Sequence, residues 1–211
     1  MRLVELTVKE FVEQLSSNAP APGGGSVAAL AGGLGAALCI MVTRLTLGRE
    51  KHRDVWADMT RVCDAAVRHS RRFLELVDED TAAYNQVMAA FKMPKESDAQ
   101  KSARQEAVEG ANKRAAMVPL ETLRTLSELV DLVGEALEKG NPNCIPDAGV
   151  ALQLIRAAAK GAAYNIRINV SGISDKGFAT QTIRETDALL DRIEAAVERL
   201  DSFVEKRVRP D

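Results

Sequence analysis

The sequence predicts an all-α protein, an antiparallel bundle of about six helices with a long helical hairpin arm. Apolar residues recur at helical spacing through several long segments, and no useful length alternates with the period of a strand. Hydrophobic residues make up 46% of the chain but aromatic ones only 4%, so the core is built from Ala, Val, Leu, Ile and Met. That composition suits close helix packing better than a sheet sandwich. With 211 residues, a single domain over 1–211 is expected, large enough to bury a real core.

Thr7 and Glu10 form a T-x-x-E capping box that opens a short helix through Phe11, Val12 and Leu15, stopped by Ser16, Ser17 and Asn18. Pro20 and Pro22 then stiffen a loop that runs into Gly23, Gly24 and Gly25, which free the backbone for positive φ or for close approach. Ser26 stands where an N-cap belongs, with neighbouring amides open to a carboxylate or phosphate; a tight turn that only launches a buried helix is the plainer alternative. The following helix reaches about Leu47, and Gly48 ends it. Ala28, Gly32 and Ala36, with Gly25, Ala29, Gly33 and Ala37 beside them, make small-residue rows that admit another backbone closely. Val27 to Val42 carries no charge, yet it falls short of the ~20 apolar residues of a membrane span.

From Asp54 a long helix buries Val55, Met59, Val62, Ala66, His69, Phe73 and Leu76 on one stripe and ends near Pro94. His69 reads as a partly buried stripe member. Ser97 or Asp98 caps the next helix, in which Pro119 predicts a kink rather than a stop, because the apolar period resumes at Leu123, Leu126, Leu129 and Leu132. Gly140 closes this hairpin, and GNPNCIPDAG is a loop. Helices from Asp147 to about Val170 and from Phe178 to Val204, joined by SGISDKG, complete the bundle.

The net charge of −2, with both signs mixed over the chain, argues against nucleic acid as the main partner. Cys39, Cys63 and Cys144 are far apart, and with only His52 and His69 beside them no metal-ligand spacing appears. No metal is expected, and neither a membrane partner nor a secretory leader. A soluble, cytoplasmic protein is the expectation.

Polar residues set among smooth apolar ones are the places that packing leaves unexplained. Asp80 and Tyr84 lie one turn apart; Asp80 either caps a new helical stretch or serves a site. Asn141, Asn143 and Asp147 gather in the proline-rich loop, where Asp147 is also the natural N-cap of the next helix. Cys144 among them lacks a base to activate it. Asn165 and Asn169 share a helical face, but Asp147 and Asn165 are five turns apart, roughly 27 Å along one axis. If both serve function they hold opposite ends of a long ligand, or a second subunit closes the gap, or one is an interhelical clamp.

In order, PAPGGGSVAALAGGLGAAL, DEDTAAYNQVMAAFKMPK, AAMVPLETL, GNPNCIPDAGVA and GAAYNIRINVSGISD resemble the cyclodeaminase/cyclohydrolase family of folate enzymes. The resemblance covers nearly the whole chain. Met93 and the run Cys144-Ile145-Pro146 depart mildly from the family pattern. The resemblance implies an all-helical homodimer acting on tetrahydrofolate one-carbon units, with no cofactor beyond the tetrahydrofolate carrier. In both family reactions the carbon bridging two folate nitrogens passes through a tetrahedral adduct, bearing a hydroxyl in the cyclohydrolase and an amino group in the cyclodeaminase. A carboxylate, Asp80 or Asp147, is expected to stabilise the methenyl cation and take the proton of an attacking water. Lys95 is expected to give a proton to the departing nitrogen or to hold a folate carboxylate. Tyr84, Asn141, Asn143, Asn165 and Asn169 are expected to bind substrate, their carboxamides matching a pterin edge. The Gly23, Gly24, Gly25 and Ser26 amides suit a glutamate carboxylate. A methenyltetrahydrofolate cyclohydrolase is the first expectation, because the chain begins at this domain with no formiminotransferase to feed a cyclodeaminase. The cyclodeaminase is the alternative, and a non-catalytic helical dimer scaffold the third.

Overall fold

The computed structural model describes residues 2–208. Six α-helices fill it: α1 (Val8–Leu15), α2 (Gly24–Leu47), α3 (Trp56–Phe91), α4 (Asp98–Lys139), α5 (Ile145–Ser171) and α6 (Lys176–Val208). Among the described residues there is no strand, and consecutive long helices run antiparallel.

Local signals set most boundaries. Thr7 accepts from the Glu10 amide while Glu10 reaches back to the Thr7 amide, a complete capping box. Ser97 and Gln100 do the same for α4, and Gly140 ends it. α4 passes through Pro119 as a continuous helix. Other boundaries moved. A 3-10 turn over Glu50–Val55 precedes α3, which therefore starts at Trp56 rather than Asp54. Asp80 lies inside the unbroken α3 and opens no new helical stretch. Asp147 sits in the first turn of α5, whose N-cap is Cys144.

α2 is the axis of the bundle, flanked by α3 and α5 and touching α4. By length and composition it is long enough to cross a membrane, but more than half of its most apolar window is buried among the other helices. Its small residues let neighbours in: an added Cβ on Gly32 would lie 2.6 Å from the Phe73 ring, and one on Gly35 would lie 3.4 Å from the Ala151 carbonyl oxygen. Phe73 is fully buried and has no room to swing away. Gly32→Ala is therefore expected to destabilise the protein by about 1–3 kcal/mol, the usual cost of overpacking, read from its urea midpoint.

The glycines before α2 work by close approach as well. Among the described residues no glycine has positive φ, so of the two alternatives, positive φ or close approach, the run realises the second. An added Cβ on Gly25 would strike the Asp80 carboxylate at 2.0 Å, and one on Gly24 would meet Asn165 Nδ2 at 3.4 Å. The glycine run is thus where α3 and α5 press on the first turn of α2.

Met59, Val62, Ala66, Phe73 and Leu76 of the stripe are buried as expected, whereas Val55 falls in the 3-10 turn before α3 and is half-buried. His69 keeps 18% of its side chain exposed and stands 3.5 Å from Glu128 on α4. Burial holds its pKa below the ordinary value, against the pull of Glu128. The outer ends of α3 and α4 form the expected hairpin arm, mostly exposed between residues 85 and 110.

Candidate functional site

A cavity of about 390 Å³ opens where the N-terminus of α2 meets α3, α4 and α5. That is near the lower end of the ~300–1,000 Å³ typical of small-molecule sites, enough for one ring system with the rest of a ligand outside. Gly23, Gly24 and Gly25 line it with Asp80 and Tyr84 from α3 and Asn165 and Asn169 from α5. The fold therefore brings together seven of the residues expected to act.

Asp80 is the acidic side chain among the residues that line this cavity. Ser26 is wholly buried, and its Oγ lies 3.0 Å from Asp80 Oδ2, 3.0 Å from the Val77 carbonyl and 3.2 Å from Thr81 Oγ1. The Val77 carbonyl already has a helical donor in the Thr81 amide four residues on. The Ser26 hydroxyl stands within donor reach of both that carbonyl and the Asp80 carboxylate. Burial pushes the Asp80 pKa up, and the Ser26 hydroxyl and backbone amide pull part of that shift back. The outcome is a carboxylate held in place and made more basic than an exposed aspartate.

This corrects two expectations about the glycine loop. Gly23, not Ser26, is the N-cap of α2, and the serine hydroxyl reaches across to α3 instead of closing its own helix. The chain's own Asp80 also occupies the place at the first turn where a ligand carboxylate was expected. The positive end of α2 already has its anion.

Asn165 Nδ2 donates to the Gly161 carbonyl at 2.8 Å, and Asn169 Nδ2 donates to the Ala115 carbonyl on α4 at 2.7 Å. Asn169 is thus an interhelical clamp and a cavity residue at once. Neither Oδ1 has a protein partner among the described residues, so both carboxamides offer acceptors. With Asp80, the cavity presents three acceptor groups and favours a ligand face rich in donors or positive charge.

The remaining expected residues lie elsewhere. The Asn141 backbone amide donates to Thr46 Oγ1 at 2.9 Å, and its Oδ1 accepts from the Asn143 amide at 3.2 Å. Thr46 is at the far end of α2 from Ser26, about 30 Å along the axis. Asn143 is exposed and Asp147 half-buried beside Cys144. Cys144 is buried, and burial with the nearby Asp147 charge raises its thiol pKa against the pull of Arg49, which disfavours the thiolate. Lys95 is exposed in the loop at the tip of the arm, bordering a depression with Lys101 and Arg104 that does not include Asp80. Within one chain, Asn141, Asn143, Asp147 and Lys95 do not share the Asp80 cavity.

Sequence reasoning missed Ala115, which serves through a main-chain oxygen that any residue has. Arg114 lies exposed in a separate depression with Gln86 and Met93, without an ion pair among the described residues. No group of three or more metal-ligating side chains converges among the described residues.

Residues 7–188 match the family model described as formiminotransferase-cyclodeaminase. The methenyltetrahydrofolate cyclohydrolase of Methylorubrum extorquens is 38% identical over 202 residues, covering 96% of this chain and 97% of that one. The formimidoyltransferase-cyclodeaminase of Rattus norvegicus is 32% identical over 89% of this chain, which spans only 35% of the rat protein. The crystal structure of the Thermotoga maritima formiminotetrahydrofolate cyclodeaminase superposes over 99% of this chain and all of that one, with a TM-score of 0.89 at 28% identity. On these matches, and on the motifs that meet at the first turn of α2, the chain belongs to the formiminotransferase-cyclodeaminase family.

Proposed function

We propose that this protein is a methenyltetrahydrofolate cyclohydrolase, hydrolysing 5,10-methenyltetrahydrofolate to 10-formyltetrahydrofolate in one-carbon metabolism. The observation that carries the reading is Asp80, a half-buried, serine-held carboxylate in an acceptor-lined cavity, in a chain alike to a cyclohydrolase over 96% of this chain and 97% of that one. The methenyl substrate is a cation, and Asp80 supplies its counter-charge. Asp80 takes a proton from water as the water oxygen bonds to the bridging carbon. The tetrahedral adduct then breaks its bond to N5; that nitrogen takes back the proton from Asp80, and the adduct hydroxyl releases its own to solvent as the formyl carbonyl forms. The acceptor oxygens of Asn165 and Asn169 suit the N–H edge of a pterin, and the exposed Arg114, one residue before the cavity-lining Ala115, offers a charge to the acidic tail of the folate. The test is to follow loss of the methenyl near-ultraviolet absorbance beside ammonia release from formiminotetrahydrofolate. Absorbance loss without ammonia supports the proposal; ammonia release alone assigns the cyclodeaminase, which the likeness to the Thermotoga maritima fold favours as the second reading.

The pH dependence follows from the same site. A general base acts only when deprotonated, so kcat/KM rises with pH through the Asp80 pKa. Ser26→Ala removes a contact that lowers this pKa, so the rising limb is expected to move to higher pH. Loss of that one hydrogen bond should cost no more than about tenfold in turnover at alkaline pH, and a pH–rate profile reads both effects.

We also propose a homodimer. Val27, Leu34 and Leu45 on α2, and Val150, Tyr164 and Ile168 on α5, are exposed by 37–68% on neighbouring helices, a face that water alone does not favour. A second copy laid antiparallel across it would set the Asn141–Asp147 loop of each chain against the Asp80 cavity of the other, closing the gap of about 27 Å that one helix imposes.

A further inference from the structure

Pro119 sits inside α4 at a position that ordinarily donates its amide hydrogen to the carbonyl four residues earlier, that of Ala115. Proline has no such hydrogen. The Ala115 carbonyl is therefore left without its helical donor, on the wall of the Asp80 cavity. Asn169 Nδ2, arriving from α5, supplies the missing donor at 2.7 Å. The reverse orientation of the carboxamide would point oxygen at oxygen, so this contact alone decides which end of Asn169 faces the cavity.

We infer that Pro119 is a positioning residue: by withholding one backbone hydrogen from Ala115, it fixes Asn169 as a hydrogen-bond acceptor toward the ligand. It touches no ligand itself. Asn165 has a different arrangement, since the carbonyl it bonds, Gly161, lies four residues before it on its own helix and keeps its ordinary helical donor. The Asn169 orientation alone depends on a residue far along another helix. The consequence for substrate choice rests on the folate reading, in which the Asn169 oxygen receives a pterin N–H; the orientation itself does not.

Pro119→Ala is the test, because alanine restores the helical amide donor, so that the Ala115 carbonyl no longer depends on Asn169 and its bond to Asn169 Nδ2 weakens. Asparagine-selective nitrogen-15 labelling gives a side-chain amide signal for Asn169, assigned by its loss in Asn169→Asp. In the parent protein that signal is expected to be protected from solvent exchange, and in Pro119→Ala the exchange should quicken by about tenfold or more, the equivalent of one net hydrogen bond. With methenyltetrahydrofolate, KM is expected to rise about tenfold while kcat stays within about threefold. Thermal stability moves the other way: alanine is a far better helix residue than proline, so Tm should hold or rise. A merely structural proline would change Tm without the KM split. The double variant Pro119→Ala, Asn169→Ala is expected to bind no worse than Asn169→Ala alone, since the two act through one contact. Unchanged exchange of the Asn169 amide in Pro119→Ala overturns the inference, as do additive effects on KM. If the parent protein turns over neither folate, the functional reading fails while the exchange measurement still decides the role of Pro119.

Discussion

Asp80→Asn is expected to leave a folded protein whose turnover falls by about 10²–10⁴-fold, the range for loss of a positioned general base. The carboxamide keeps the shape of the carboxylate against Gly25 and can still accept from Ser26, but it cannot take a proton from water or balance a cation. Stability should not follow activity down. Because burial raises the Asp80 pKa, the folded protein holds that proton more tightly than the unfolded chain. The Asp80 contribution to stability is thus greatest below the ordinary carboxylate range and is lost as pH rises through the folded pKa. At neutral pH the asparagine should therefore match or exceed the parent in Tm. A variant that retains turnover within tenfold removes Asp80 from the chemistry, whatever else the cavity binds.

The second large effect concerns the exposed face of α2 and α5. Leu34 is 51% exposed near its centre, and Leu34→Glu is expected to convert a dimer into monomers by light scattering. Turnover should drop by at least about 10²-fold at concentrations where the chain is monomeric, because the Asn141–Asp147 loop is then missing from every site. Complementation makes the shared site visible. Random mixing of Asp80→Asn with Asp147→Asn chains makes half the dimers hybrid, each with one intact site, so activity should return to about a quarter of the parent value. A fully active monomer would sink the shared-site proposal and leave the Asp80 cavity standing alone.

Much of this architecture was legible in the residues because its causes are local. The Thr7 and Ser97 boxes act within one turn, Gly140 stops α4 where it stands, and the resumed leucine spacing after Pro119 correctly carried the helix through. Ser26 was misread because its local role as a cap competes with a partner 54 residues away on α3, and no local pattern shows which wins. Asp80, Tyr84, Asn165 and Asn169 were readable as polar groups that a smooth core does not need, and they do share a cavity. The separation of Asp147 from Asn165 was equally readable, from helical rise alone. Hidden from the sequence was Ala115, whose contribution is a backbone oxygen released by a proline four positions later.

Placing Asp80 at the first turn of α2 also bears on how a catalytic cycle would finish. The methenyl form brings a positive charge that the carboxylate attracts, whereas the formyl product carries none on that carbon. The attraction that draws the reactant in is therefore abolished by the reaction itself, and departure needs no separate moving part. A folate without the cationic one-carbon bridge should accordingly be a poor competitive inhibitor of this pocket, and raising ionic strength should weaken capture of the cation more than it slows escape of the product.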